Sequence, residues 1–255
     1  MNAMILCAGL GSRLRPITNT IPKPMIPIAG KPLLEHQIEW FKKFGITNIA
    51  INLFYLSDSI KNYFGSGKNF GVNILYSPEP ELLGTAGGVK KVDNISKGFF
   101  SGTFVVYYGD NYTDLDLNQM LDFHKKNCAV ATILMRKRPR GNKVSSIIEL
   151  DDIGRVRTFV EKPSQELTLS QPDVVLSNSG IYVLEPEVLK YIPQNKFFDF
   201  GSDVFPVLLS EGKKVMGFVS GTFWRELGTL EKYENAKKDI EERFKINKED
   251  IKMDL

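Results

Sequence analysis

Hydrophobic and polar positions follow two rhythms along this chain, and the change falls near residue 136. Before it, apolar runs too short for a helix of their own alternate with stretches of helical spacing. The runs at 4–8, 48–53, 72–76, 103–108 and 129–135 read as strands. Between them, Pro32 opens a helix with Leu34, Ile38, Phe41 and Phe44 on one face and Gly45 as its stop. A short helix at 57–64, a glycine-rich turn at 65–71, a short helix through 89–92 and a helix at 116–126 complete the alternation. In the last of these Leu117, Met120, Leu121 and Phe123 face the core. Such alternation predicts a mainly parallel sheet covered by helices on both faces.

After residue 136 the texture is β-rich. Runs at 145–150, 157–160 and 174–183 are separated by turn residues such as Asp151-Asp152-Ile153-Gly154, a pattern closer to antiparallel pairing. A helix at 202–210, a strand at 214–219 and a closing helix follow. Thr229 is a good N-cap for that helix, which carries Tyr233, Ala236, Ile240 and Phe244 on one face. The segment 247–255 is charged and is expected to fray or to serve an interface. No repeat, low-complexity tract or linker divides the sequence.

The chemistry-bearing residues cluster where predicted strands end. Gly9-Leu10-Gly11-Ser12-Arg13-Leu14-Arg15-Pro16 follows the first strand, and Pro22-Lys23-Pro24 follows it. The glycines let backbone N–H groups approach an anion, Arg13 can fork onto phosphate oxygens, and Lys23 adds a point charge. A dinucleotide fingerprint fits badly, with Leu14 where a third glycine belongs and Asn52 where an acid belongs. A P-loop lacks its Gly-Lys-Ser/Thr. The small residues between Pro78 and Gly88 allow a flat ring to lie against backbone and Thr85 offers a hydroxyl, although a purely structural glycine loop reads the same way. Asp110 stands just past the strand at 103–108, placed either to hold a cation or to cap the next turn. Glu161-Lys162-Pro163 is by itself an ordinary solvated strand end. The basic run Arg136-Lys137-Arg138-Pro139-Arg140 reads as a solvated loop in preference to a modified binding surface.

Composition narrows the classes. A chain of 255 residues is ample for one packed α/β domain. A net charge of +3 is too small and dispersed to argue for nucleic acid, while anionic small molecules would suit a basic cleft. No apolar segment approaches the roughly 18 residues of a membrane span. No signal peptide is evident, so the cytoplasm is the expected compartment. Cys7 and Cys128 read as buried strand residues, and His36 and His124 as structural helix residues.

Taken together, Gly9-X-Gly11-X-Arg13-Leu14-X-Pro16-X-Thr18 with Pro22-Lys23-Pro24 resembles the signature of sugar-1-phosphate nucleotidyltransferases. Leu83-Gly84-Thr85-Ala86-Gly87 resembles that family's base-recognition loop, Glu161-Lys162-Pro163 its sugar-phosphate motif, and Asn178-Ser179-Gly180-Ile181-Tyr182 its sugar-contact strand. Trp224-Arg225-Glu226-Leu227-Gly228-Thr229 matches a family segment whose metal-binding Asp is here Glu226, one methylene longer. The family also tends to have glycine where this chain has Ser146.

The resemblance implies a Rossmann-like nucleotidyltransferase fold, an α/β architecture with a mixed, mainly parallel sheet flanked by helices and a smaller β-rich sugar-binding part. It implies one domain over 1–245, with nucleotide contacts mainly in 1–135 and sugar-phosphate contacts mainly in 136–245, then the charged tail 246–255 and no β-helix domain. The implied reaction joins a nucleoside triphosphate and a sugar 1-phosphate into an NDP-sugar, releasing pyrophosphate. Implied nucleotide contacts are Leu6, Ala8, Gly9, Gly11, Ser12, Arg13, Lys23, Gly84, Thr85 and Asp110, with Arg13 and Lys23 catalytic. Glu161, Lys162, Asn178 and Gly180 would hold the sugar phosphate, and Asp110 with Glu226 would hold Mg²⁺. The base loop is most like that of mannose-1-phosphate guanylyltransferases, which favours GTP and a mannose-like hexose. UTP, dTTP or CTP donors and a non-catalytic NDP-sugar-binding homologue are the alternatives. A homo-oligomer is in keeping with the family; nucleic acid and membrane partners are not expected.

Overall fold

Strand β1 (Asn2–Leu6) sits in the middle of the sheet because its side chains are apolar on both faces. The computed structural model of the chain describes residues 1–140 and 144–253, with side chains through Lys245. A two-residue hairpin, β2 (Pro27–Ile28) and β3 (Lys31–Pro32), leads into α1 (Leu33–Lys43). There follow β4 (Asn48–Leu53), α2 (Ser57–Phe64), β5 (Asn73–Pro78), α3 (Gly84–Ile95), β6 (Phe104–Tyr108), β7 (Asn111–Thr113) and α4 (Leu117–Lys126). The β-rich half comprises β8 (Ala131–Pro139), β9 (Ser146–Leu150), β10 (Val156–Glu161), the short α5 (Gln165–Leu169) and β11 (Val174–Leu184). It closes with α6 (Phe205–Ser210), β12 (Val215–Val219), β13 (Trp224–Glu226) and α7 (Leu230–Met253).

Among the described residues these strands form a nine-stranded sheet in the order β10-β9-β11-β6-β1-β4-β5, with β8 added to β11 and β12 to β8. β6, β1, β4 and β5 run parallel, while β11 is antiparallel to β6 and to β8. The mixed, mainly parallel α/β sheet expected from the alternation is therefore present. Alternation along β1 separates two cores. Met4 packs with Val89 and Val92 of α3 and Phe205 of α6, whereas Ala3 and Ile5 pack with Ile38 and Phe41 of α1 and Met120 of α4. A third cluster matters for the site. Tyr233, Ala236 and Ile240 of α7 pack on Leu14, Ile26 and Leu33, so the closing helix braces the loop that follows β1.

Several expectations are corrected. α3 begins at Gly84, inside the glycine-rich loop, not near Val89. The basic run is not a solvated loop through Pro139: β8 continues to that residue, pairing Arg136 with Ser177 and Arg138 with Val175. Cys7 is buried, but Cys128 is exposed in a left-handed turn with φ of 47°, because α4 ends at Lys126 with Asn127 as its C-cap and the next strand starts only at Ala131. The backbone of α7 continues to Met253, and the last two residues lie outside the described ones. No helix among the described residues is long and apolar enough to cross a membrane.

Phe41 is fully buried and meets Tyr107 edge-on at 5.9 Å. Phe41→Ala is expected to lower unfolding stability by about 3–5 kcal/mol in urea titration, and a loss below about 1 kcal/mol would contradict this packing.

Candidate active site

Parallel strands present their carboxyl ends on one edge, and the loops leaving β1, β4, β5 and β6 meet there. They enclose a cavity of about 240 Å³ lined by Leu6, Ala8, Gly9, Lys23, Gly84, Thr85 and Asp110. A second cavity, of about 810 Å³, opens between the parallel half and the β-rich half. Arg13, Asp110, Glu161, Lys162, Asn178, Gly180 and Glu226 line it. Tyr108 and Asp110 belong to both linings. The residues grouped as nucleotide contacts thus gather mainly on one side of Asp110, and those grouped as sugar-phosphate contacts on the other.

Two expected contacts line neither cavity. Gly11 sits at φ of 64°, and its carbonyl accepts from the Leu14 N–H at 2.9 Å and the Thr18 hydroxyl at 2.8 Å. A Cβ there would fall 2.9 Å from Thr18 Cγ2, so the glycine shapes the turn that aims Arg13. Ser12 begins the single 3₁₀ turn that follows. Thr85 lines the smaller cavity, and its polar groups have partners within the protein. Its hydroxyl donates to Asp199 at 2.9 Å and accepts from the Phe200 N–H at 2.9 Å, while its own N–H donates to Asp199 at 2.8 Å. Both polar groups are committed to anchoring α3 on the segment after Phe198.

The two candidate metal carboxylates are held by lysines. Lys23 Nζ lies 2.5 Å from Asp110 Oδ2, and Lys232 Nζ lies 2.5 Å from Glu226 Oε2. β13 pairs with β7 so that Glu226 opposes Asn111, and the Leu227 N–H donates to the Asp110 carbonyl at 2.8 Å. Glu226 Oε1 crowds the space a Cβ would need at Gly228, with Arg13 Nη2 3.6 Å from that point. Among the described residues no three His, Cys, Asp or Glu side chains converge as a preformed metal cage. Two carboxylates on one cavity nevertheless suit Mg²⁺, a hard ion that takes few protein ligands and completes its shell with phosphate oxygens and water.

In the β-rich wall, Lys162 adopts φ of 48° and donates its N–H to the Ser145 carbonyl at 2.9 Å. Asn178 is fixed on every side: its N–H donates to Ser146 Oγ at 2.9 Å, its amide to Tyr182 at 2.6 Å, and its Oδ1 accepts from the Gly180 N–H at 2.9 Å. Ser146 is fully buried, and its hydroxyl links β9 to β11 and does not line the cavity.

Sequence reasoning missed three features. Buried Glu79 accepts from Asn52 at 2.8 Å and from the Leu83 N–H at 3.1 Å, and Asn52 in turn accepts from the Cys7 N–H at 2.7 Å. This chain ties together the loops leaving β1, β4 and β5; Asn52, noted only for not being an acid, was its one visible trace. Asp199 anchors Thr85 across 114 residues of sequence. Arg136 stacks on Trp224 with its guanidinium carbon 3.3 Å from the ring centroid. Burial, then repulsion from Arg138, draws its pKa down to about 9, with Glu226 opposing. Inside–outside alternation continued past residue 135 would have placed Arg136 and Arg138 on one face.

Burial raises the Glu161 carboxyl to about 7, with Lys162 opposing and Asp199 reinforcing the shift. Its Oε2 has no hydrogen-bond partner. The folded protein therefore holds this proton from 4.5, the ordinary value, up to about 7, and stability must fall as pH rises through that window. Glu161→Gln is expected to remove this part of the decline, so that Tm measured against pH converges with wild type at pH 4 and exceeds it at pH 8. Parallel curves would contradict the shift.

Comparison with known proteins places the chain in a family. The nucleotidyl transferase family profile matches residues 2–243. A UTP–glucose-1-phosphate uridylyltransferase of Synechocystis is 41% identical over 247 residues, covering 92% of this chain and 62% of that protein. A mannose-1-phosphate guanylyltransferase of Mycobacterium tuberculosis is 34% identical, covering 94% of this chain and 64% of that protein. The chain thus spans under two thirds of the length of these relatives. Among solved structures, HddC from Yersinia pseudotuberculosis superposes with a TM-score of 0.76 at 26% identity, covering 93% of this chain and 98% of that one. A putative glucose-1-phosphate thymidylyltransferase from Bacillus anthracis shares the fold with a TM-score of 0.81 at 22% identity, over 94% and 95% of the two chains. The match over nearly the whole chain, with the clustered loops at one sheet edge, means that this protein belongs to the nucleotidyl transferase family.

Proposed function

We propose that the chain transfers a nucleotidyl group from a nucleoside triphosphate, with GTP favoured, to a mannose-like hexose 1-phosphate. The observation that carries this reading is the shared lining at Asp110 of the two cavities, one rich in backbone and small residues, the other in cations and polar groups. An oxygen of the sugar phosphate attacks the α-phosphorus, the bond from that phosphorus to the β-phosphate bridging oxygen breaks, and pyrophosphate leaves. The attacking oxygen is already anionic at neutral pH, so no general base is required. In keeping with this, His36 and His124 are buried with ring nitrogens bound to Ile28, Thr132 and Glu185.

The demand is for positive charge and alignment. Arg13 and Lys23 hold the triphosphate, and Lys162 holds the acceptor's phosphate. Glu161 and Asn178 orient sugar hydroxyls beside Gly180, where φ of 72° and a Cβ position 2.6 Å from Asn111 Nδ2 leave no room for a side chain. Mg²⁺ carried by Asp110 and Glu226 would offset phosphate charge as the two anions meet. The guanine preference is supported by Glu79, an acid that lines the smaller cavity while each of its oxygens also accepts one bond from the protein, from Asn52 and from the Leu83 N–H. A carboxylate accepts well from the adjacent N1–H and N2 amine of guanine, whereas uracil offers a single N–H on that edge.

Pyrophosphate release is expected with GTP and mannose 1-phosphate in a grid of triphosphates and sugar 1-phosphates. Asp110→Ala should cost on the order of 10²-fold or more in turnover, and no release with any pair would contradict the reaction. Glu79→Gln is expected to lower kcat/KM for GTP about 10-fold or more relative to UTP. An unchanged GTP/UTP ratio would contradict the base assignment.

A further inference from the structure

Lys162 is the single cation that the proposed reaction gives to the acceptor's phosphate, yet two arginines besides Arg13 stand in the same cavity without carboxylates of their own. Arg140, Arg157, Arg225 and Arg243 each pair with an aspartate. Arg136 and Arg138 line the larger cavity and pair with none among the described residues. They occupy alternate positions of β8, so both side chains lie on one face of the strand. Two strands, β11 and β9, separate β8 from β10, whose end carries Lys162.

Arg136 is the better defined of the two. Its guanidinium lies flat on Trp224, and the Trp224 indole N–H is itself fixed by the Ser179 carbonyl at 2.9 Å. Stacking of this kind holds the guanidinium plane and leaves its N–H edge to meet an oxyanion in a planar fork. The Nε–H is buried with no hydrogen-bond partner, a cost that a bound anion would relieve. Trp224 lies two residues before Glu226, which lines the same cavity beside Asp110. The anion that the reaction brings to that wall is the acceptor's phosphate.

We infer that Arg136, with Arg138 beside it, binds the acceptor's 1-phosphate from the β8 wall, so that the phosphate is gripped between these guanidiniums and Lys162. The inference rests on the nucleotidyl-transfer reading and refines its acceptor site. A merely structural Arg136, joining β8 to β13 through the Trp224 stack, would affect folding stability and leave substrate affinities unchanged.

The experiment compares Arg136→Met, which keeps an apolar stem on Trp224, with Arg136→Lys, which keeps the charge and loses the fork. KM for mannose 1-phosphate is expected to rise about 10-fold or more in the Met variant and less in the Lys variant, with KM for GTP unchanged. An unchanged acceptor KM, or equal rises for both substrates, would overturn the inference. So would an effect confined to acceptors with a second acid, such as a hexuronic acid 1-phosphate, because the arginines would then read the ring and not the 1-phosphate. A binding readout separates this from the reaction itself. Trp40 and Trp224 are the two tryptophans of the chain, so Trp40→Phe leaves Trp224 as the sole indole emitter. Titration of that protein with inorganic phosphate should change its emission saturably, and Arg136→Met should abolish the change. No response in the parent would overturn the inference. A response without pyrophosphate release from any substrate pair would contradict the reaction and leave the phosphate arm standing.

Discussion

The hydrogen bond from the Gly109 N–H to the Leu6 carbonyl, 2.9 Å long, fixes the point on which the rest of the site depends. β1 and β6 pair in parallel from Asn2 opposite Phe104 to Leu6 opposite Tyr108, and both stop at the same level. A side chain at 109 would place its Cβ 2.6 Å from the Leu6 carbonyl and 2.9 Å from Cys7 Sγ, so only glycine lets the strands remain paired while the chain turns away. The next residue, Asp110, is thereby delivered to the root of the loop after β1, where Lys23 meets it. The smaller and larger cavities share Asp110 because the sheet puts it there, and β13 then adds Glu226 by pairing beside it.

Around that point the electrostatics are arranged by folding, with few contacts between near neighbours in sequence. Lys23 crosses to Asp110, Asp199 crosses to Thr85, and Glu79 joins the ends of three strands through Asn52 and Leu83. Buried carboxylates in such places are costly unless hydrogen-bonded, and Glu161 shows the cost when one oxygen has no partner. The same site concentrates cations facing a cleft, an arrangement that raises the local concentration of anions. Packing supports it from outside, since α7 seats Tyr233 and Ile240 against Leu14 and so braces the turn that bears Arg13.

Much of this was legible in the sequence because its signals are local. Strand–helix alternation gave the parallel half, with β4 and α2 at their expected limits, and the glycine-and-cation run after β1 falls where a loop leaves the sheet edge and contributes Ala8 and Gly9 to the smaller cavity. The signals that failed were those decided by distant partners. Arg136 and Arg138 looked like solvated charges until β11 was seen to carry β8 onward. Ser146 stood out only as a departure from a glycine the family tends to have, and its hydroxyl is spent on Ser177 and Asn178. The Thr85 hydroxyl has a partner 114 residues on, which no local signal announces. Cys128 illustrates the converse: an apolar neighbourhood suggested burial, whereas the helix end forces it outward at positive φ.

If the two cavities present donor and acceptor to each other across Asp110, transfer is a single in-line displacement with no nucleotidyl group passing through the protein. The stereochemical course at the α-phosphorus tests this most directly, using a triphosphate made chiral there by one sulfur. Inversion in the NDP-sugar is the result this account requires. Retention would signal two displacements and a covalent nucleotidyl-protein intermediate, and would contradict it.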